Sequence, residues 1–354
     1  MATVVLVSKP LGPPWNDGSK NLARDVAEGL RRHSPRVFLP HDATWRPRRG
    51  GQHVLGPRRA QVAMLAHLGL GPPADLWHFF FAPNPRTSTV ARALKRLRGT
   101  PTVHTVCSRP RDLAGARRLL FADRTVVLSK ATEAALRDAG APVHRIPPCA
   151  PDLSVPSAAE RREARAALGL PLDAPLVVYP GDLEHGEGAT RMLAALANLD
   201  DDARLVMACR AKSAAAAAEE RRLRARTDPR VHWLGETPHI LQLLGAADVV
   251  ALPSSDLYAK VDLPLVLLEA MRLGRPVLVA DDAPARELAE GGGALAVPPH
   301  AEAIGSAIAD LLADDAAREA LGGRARAVTL ERYDAAAMAG AYERLYDELL
   351  GGAP

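Results

Sequence analysis

The stretch LVVYPGDLEHGEGATRML, residues 176–193, decides the fold. Its first four residues are apolar and rich in Val, as in a strand buried on both faces. Gly181 and Gly188 bracket a turn, and a helical pattern starts after the second glycine. A strand, a glycine turn and a helix start make up the unit of a doubly wound parallel sheet, and the turn is where such a sheet holds an anion. Yet this turn carries Asp182, Glu184 and Glu187, with no Lys or Arg before Arg191. A loop shaped for an anion is lined with anions.

The same alternation runs along the whole chain. Strands are expected at 3–7, 36–40, 76–81, 102–106, 124–128 and 144–147, then at 176–179, 204–208, 231–234, 249–252, 276–280 and 294–297. Helical patterns separate them: Leu22, Val26 and Leu30 recur at the helical period, and Met338, Tyr342, Leu345, Tyr346 and Leu349 line one face of a last helix. The proline-rich segment 147–175 reads as an inter-domain connection. A chain of 354 residues is long enough for two cores. The fold class is therefore α/β, with two Rossmann-like domains whose ligand crevices lie at the carboxyl ends of parallel strands.

Composition narrows the function. The net charge is +4 and aromatic residues make up 4% of the chain. Without interleaved basic and aromatic residues, no nucleic-acid partner is expected. Peripheral contact with an anionic membrane face suits the basic balance better. Cys107, Cys149 and Cys209 lie far apart, which fits neither a zinc site nor a disulfide framework. Residues 1–7 read as a first strand, and no apolar run approaches a membrane span, so a cytoplasmic location is expected, with peripheral contact at the inner face of the membrane. No G-x-S-x-G motif supports a serine nucleophile.

The segment DLYAKVDLPLVLLEAMRLGRPVLVADDAPARELAEGGGALAVPP, residues 256–299, resembles the GT-B glycosyltransferases of family 4, the retaining class that uses nucleotide sugars. Weaker similarity runs through PPWNDGSKNLARDVAEGL (13–30), RTVVLSKATEAALRDAGAP (124–142), VHWLGETPHILQLLGAADVVALPSS (231–255) and ERYDAAAMAGAYERLYDELL (331–350). The resemblance implies two domains with parallel sheets facing a central cleft. Residues 1–155 would bind the acceptor and 156–330 the donor, with a closing helix at 331–354 crossing back to the first domain.

It also implies roles for particular residues. Glu269 matches the second acid of the family pair, which binds the ribose hydroxyls, while the first acid's position holds Val261, between Lys260 and Asp262. The two cations that bind the donor diphosphate are replaced by Asp182 and Glu187. Lys260, and after it Arg210 and Lys212, are expected to supply the missing charge, one of them paired with Asp182 or Glu187. Gly181, Thr237, Pro264 and Leu265 complete the expected donor site, the last two at a helix N-terminus. Lys260 and Glu269 are the catalytic candidates. Asp17, Gly18, Ser19 and Lys20, in a loop beside the first strand, are expected to meet the acceptor, together with His104 and Cys107.

The implied reaction moves a sugar with retention from a nucleotide-diphosphate sugar to a glycan, a lipid or a small molecule. The donor is a substrate, and no metal or cofactor is expected, because helix dipoles and cations serve that purpose in this fold. The lost cations also fit a non-catalytic relative that binds a nucleotide, a glycan or a protein. An epimerase or a phosphorylase on the same fold is a third reading.

Overall fold

The computed structural model describes residues 1–56, 59–110, 112–113, 115–183, 187–225, 228–257 and 260–351. The chain divides into two compact units: Met1–Cys149 with Tyr258–Asp262 and Asp334–Pro354, and Ala150–Leu257 with Leu263–Tyr333.

The first unit starts with strands β1 (Thr3–Val7), β2 (Ser34–Leu39), β3 (Gly51–Val54), β4 (Leu76–Phe81), β5 (Thr102–Val106), β6 (Arg124–Val127) and β7 (His144–Arg145). All pairings are parallel and the order is β3-β2-β1-β4-β5-β6-β7, so the direction of winding switches between β1 and β4. Alternate residues of β1 feed different cores: Val4 and Leu6 join one apolar cluster, Val5 and Val7 another. That two-sided burial explains the uninterrupted apolar run. β3, with the sequence GQHV, has no such run and escapes the apolar pattern; it lies at the sheet edge, half exposed.

Five helices connect these strands: α1 (Gly18–Gly29), α2 (Ala60–Leu70), α3 (Pro85–Arg98), α4 (Ala116–Leu119) and α5 (Lys130–Asp138). Local chemistry sets their ends. Asp17 caps α1 and Ser129 caps α5. Asn84 caps α3, Pro85 fills its first turn, and Gly99 ends it at φ 63°, a left-handed value that favours glycine.

The second unit holds α6 (Ala158–Ala167), β8 (Leu176–Tyr179), α7 (Gly188–Ala195), β9 (Arg204–Met207), α8 (Ala214–Arg224), β10 (Val231–Trp233), α9 (Ile240–Ala246), β11 (Val249–Leu252) and α10 (Leu265–Arg272). It ends with β12 (Val277–Ala280), β13 (Leu295–Val297), α11 (Ala301–Ala313) and α12 (Asp315–Arg332). Its parallel sheet runs β10-β9-β8-β11-β12-β13, with the switch between β8 and β11. At the opposite end of those two strands, Asp248 accepts from the Leu176 N–H at 2.7 Å and from Arg165 at 2.9 Å.

The unit boundary falls at 149/150, since the following residues bond to the second unit. The Ala150 N–H donates to the Tyr333 carbonyl at 2.8 Å, Asp152 meets Arg272 at 3.0 Å, and Arg326 donates to the Leu153 carbonyl at 2.8 Å.

The last helix, α13 (Ala335–Leu349), belongs to the first unit. It packs on α1, where Gly29 makes room for Ala339: a Cβ on Gly29 would stand 2.6 Å from the Ala339 Cβ. Two buried tyrosines carry it into the sheet. Tyr346 Oη lies 2.6 Å from His78 Nδ1, His78 Nε2 lies 2.7 Å from Thr105 Oγ1, and Thr105 Oγ1 lies 3.0 Å from Tyr342 Oη. Burial pushes His78 well below the usual histidine range, so the ring is neutral and both its nitrogens are used. Replacing Tyr346 by Phe strands the buried Nδ1 while keeping the ring's packing. The Tyr346→Phe variant should lose about 1–3 kcal/mol of stability in urea unfolding. A change below about 0.5 kcal/mol would show that this network does not hold α13 in place.

Candidate functional site

In the second unit the strand order switches between the paired strands β8 and β11, the position at which open α/β sheets bind ligands. Tyr179 ends β8 fully buried, and its hydroxyl donates to the Asp182 carbonyl at 3.0 Å and lies 3.4 Å from Ser254 Oγ. A Cβ on Gly181 would fall 1.9 Å from the Tyr179 ring, and one on Gly188 would fall 2.1 Å from Ser254 Oγ. Both glycines are therefore required by packing. Glu187, at φ 54°, makes the left-handed turn into α7.

The acids of this loop are met by cations from elsewhere. Lys212, in the loop after β9, reaches Asp182 at 2.9 Å; the pair is largely buried on the Asp182 side. Asp182 and Arg210 also extend the β8–β9 pairing through their backbones, and Arg210 meets Glu236 at 3.4 Å. Arg191, one turn into α7, donates to Ser255 Oγ at 2.7 Å, to the Pro253 carbonyl at 3.2 Å and to Glu187 at 3.0 Å. It thus joins the start of α7 to the end of β11. Sequence reasoning notes Arg191 only as the first cation beyond the loop and misses its role; the i, i+4 spacing from Glu187 is the available signal. Glu184 lies outside the described residues.

The remaining expected donor residues are distributed around the same sheet end. Thr237 follows β10, and its Oγ1 accepts from the His239 N–H at 3.1 Å. Pro264 and Leu265 start α10, where no side chain caps the N-terminus, and Glu269 lies half-buried on that helix. Lys260 belongs instead to the first unit, where its carbonyl accepts from Ser108 Oγ at 2.7 Å. Within the second unit, Lys212 is the cation that meets Asp182 of the glycine loop.

In the first unit, the loop before α1 is built around Asp17. Its carboxylate accepts from the Ser19 N–H and the Lys20 N–H, both at 3.1 Å, and from Ser19 Oγ at 2.6 Å, and it pairs with Lys9. Burial pushes this carboxyl up, but Lys9, Ser19 and the Lys20 N–H outweigh it and hold it at about 2. Lys20 is buried, and its ammonium donates to the carbonyls of Gly12 at 2.7 Å and Pro14 at 2.6 Å. Trp15 packs edge-on against Trp45 at 5.5 Å and under Arg24 at 4.7 Å. Gly18 faces Val261, whose Cγ2 would lie 2.6 Å from a Cβ there.

Two acceptor candidates turn out to be core residues. His104 is fully buried between Phe81 and Phe121, donates to the Phe81 carbonyl at 3.1 Å, and is pushed down to about 4 by burial. Cys107 is buried, its Sγ lies 3.6 Å from the Thr105 carbonyl, and burial pushes the thiol far above its usual range. On a strand buried on both faces, a polar residue type does not mark a crevice. Among the described residues no group of three or more His, Cys, Asp or Glu could hold a metal ion, and no helix is long and apolar enough to cross a membrane.

Comparison with known proteins matches residues 160–328 to the family "Glycosyl transferases group 1". A D-inositol 3-phosphate glycosyltransferase of Xylanimonas cellulosilytica is 33% identical over 200 residues, 53% of this chain. The match spans about half, 47%, of that relative's length. Among solved structures, the Anabaena Alr3699/HepE complex with UDP-glucose is similar over 98% of this chain and all of its own, with TM-score 0.76 and 18% identity. The sucrose-phosphate synthase of Thermosynechococcus elongatus is similar over 99% and 100%, with TM-score 0.78 and 23% identity. At such identities these structures establish the shared GT-B fold.

Beside Val261, the carboxylate of Asp262 turns into the first unit. The Asp262 N–H donates to the Cys107 carbonyl at 3.0 Å, and the side chain accepts from the Arg109 N–H at 2.9 Å and Ser129 Oγ at 3.3 Å. Burial pushes its carboxyl up to about 6, against the pull of these hydrogen bonds. Because the folded value is raised, the neutral form is favoured by folding, and the stability it contributes at low pH is lost as pH rises through about 6. A rise of that size is worth about 3 kcal/mol between the two protonation states. Asp262→Asn keeps an acceptor for both donors and cannot ionise. This variant should unfold at higher urea than the parent at pH 8 and lose that advantage by pH 4. An advantage of equal size at both pH values would contradict the assignment.

Proposed function

We propose that this chain, whose residues 160–328 match the family "Glycosyl transferases group 1", is a glycosyltransferase of that family that moves a sugar, with retention of configuration, from a nucleotide-diphosphate sugar held by the second unit. The supporting observation is the pair of cations brought to the glycine loop, Lys212 and Arg191. Each already pairs with an acid, Asp182 or Glu187. A diphosphate at the start of α7 would take over those cations as its counter-charges. The N–H groups at the start of α7 and α10 add donors. Glu269 would bind the ribose, Thr237 would lie near the base, and Gly181 lets the backbone approach the phosphates.

The leaving diphosphate carries the negative charge that develops as the sugar bond breaks. Lys212 and Arg191 would stabilise it without a change in their own protonation. The acceptor would meet the loop before α1, where Gly18 and Ser19 lie beside a carboxylate that stays ionised. Lys20 shapes that loop through the Gly12 and Pro14 carbonyls. Glycan and lipid acceptors both suit the family. UDP-glucose, present in the HepE structure, is the first donor to test.

A non-catalytic GT-B protein that binds a nucleotide or a glycan is the second reading, and the anionic side chains at 182 and 187 favour it. One experiment separates the two. Calorimetry with UDP-, GDP- and ADP-sugars should show one donor binding, and that donor should be consumed when an acceptor mixture is added. Lys212→Ala and Arg191→Ala should each weaken its binding about ten- to a hundredfold, the loss of one charge-assisted contact of ~1.5–3 kcal/mol. Binding without turnover selects the second reading, and unchanged affinity in both variants removes this loop as the donor site.

A further inference from the structure

The charges of this chain are not spread evenly. Residues 43–111 hold twelve of the 45 basic residues and a single acid, Asp75, of the 41. The rest of the chain, with 33 basic and 40 acidic residues, is net negative. Asp75 is engaged internally, accepting from the Thr3 N–H at 2.7 Å. The mild overall charge therefore conceals a strongly cationic segment.

The same segment exposes apolar side chains. Of the eleven large hydrophobic residues exposed among the described residues, six lie between Val54 and Leu97. On α2 they form one stripe: Val62 at 59% exposure, Leu65 at 36% and Leu70 at 85%, with exposed Ala66 among them. On α3 the stripe is Val90, Ala93 and Leu97 at 68%, with Arg86 and Arg96 exposed beside it. The two helices are neighbours: Arg98 of α3 donates to the carbonyls of Gly69 and Gly71, both at 3.1 Å. Leu68 is the buried anchor of α2, with Ala60, Ala63 and Met64 half-buried against the same core, while Val62, Leu65 and Leu70 stay exposed. Next to the α3 stripe, a groove is lined by Arg92, Arg96, Leu349 and the ion pair of Lys95 with Asp123 at 2.6 Å, which leaves the two arginines as its net positive charge.

We propose that this α2–α3 face docks the first unit onto an anionic lipid bilayer. Exposed Leu and Val would enter the headgroup boundary while the arginines around them meet lipid phosphates. The charge selects this occupant. A second copy of the chain would set the exposed Arg86 and Arg96 against their own counterparts, and neither α2 nor α3 carries an acid to offset them. A nucleic acid would leave the apolar stripe uncovered, and α2 and α3 carry no Phe, Trp or Tyr to stack on bases. The sequence suggests membrane contact from net charge alone; the structure gives it a face. The proposal stands apart from the transfer reaction, since vesicle binding is measured with neither donor nor acceptor.

Co-sedimentation of the full chain tests it, using vesicles of phosphatidylcholine alone and vesicles one-third phosphatidylglycerol. The chain should pellet with the anionic vesicles in low salt, and not with the neutral ones. Arg86→Gln combined with Arg96→Gln should lower the partition about thirty-fold, at about fivefold per guanidinium. Val62→Ser combined with Leu70→Ser should lower it as well; both pairs are exposed, and circular dichroism should show the parent's helix content. Four results would overturn the proposal: no binding to anionic vesicles, undiminished binding by either double variant, equally strong binding to duplex DNA, or a dimer that Leu70→Ser dissociates.

Discussion

The second unit depends on one packing constraint, the buried ring of Tyr179 at the end of β8. The ring occupies the space that side chains at 181 and 188 would need, and its hydroxyl reaches the Asp182 carbonyl and approaches Ser254 after β11. The loop is thus closed around an aromatic post, and its course is set by sterics. Burial raises the Tyr179 hydroxyl well above its usual range, so it remains a donor and the post keeps its grip.

That constraint separates shape from charge. Asp182 and Glu187 can occupy positions where the family places cations because neither side chain determines where the backbone goes. What they change is the source of positive charge. Lys212 arrives from the loop beyond the neighbouring strand β9, and Arg191 from one turn farther along α7. An acid with a cation at 2.9 Å presents little net charge at a distance, so the loop repels an anion far less than its sequence suggests. The arrangement also holds each cation in a defined place before any ligand arrives, which lowers the ordering cost of binding.

Much of this was legible in the sequence, and the limits have physical causes. Strands buried on both faces write themselves as apolar runs, and β1, β4, β5, β8 and β11 have the bounds read from those runs. The edge strand β3 does not, since half its surface meets solvent. The acid–cation pairing around the loop was expected in kind, but its partner could not be chosen, because Asp182 and Lys212 are 30 residues apart and meet through strand order. His104 and Cys107 were singled out for their chemistry, and burial removes that chemistry from any crevice. The cationic face of α2 and α3 needed no structure to be counted, yet a whole-chain charge of +4 averaged it away.

The acid expected at position 261 is the instructive case. A reader of the sequence sees Val261 next to Asp262 and can take the carboxylate as displaced by one residue. Val261 fills the space against Gly18, while Asp262 turns to the Arg109 N–H and Ser129 at the start of α5. One step along the chain has converted a carboxylate of the kind that meets a sugar into one that pins a loop. Burial raises this carboxyl, against the hydrogen bonds it accepts and the nearby Arg109 charge. The contrast with Asp182 follows directly: one acid is paired with a lysine at 2.9 Å, the other is driven toward neutrality by burial.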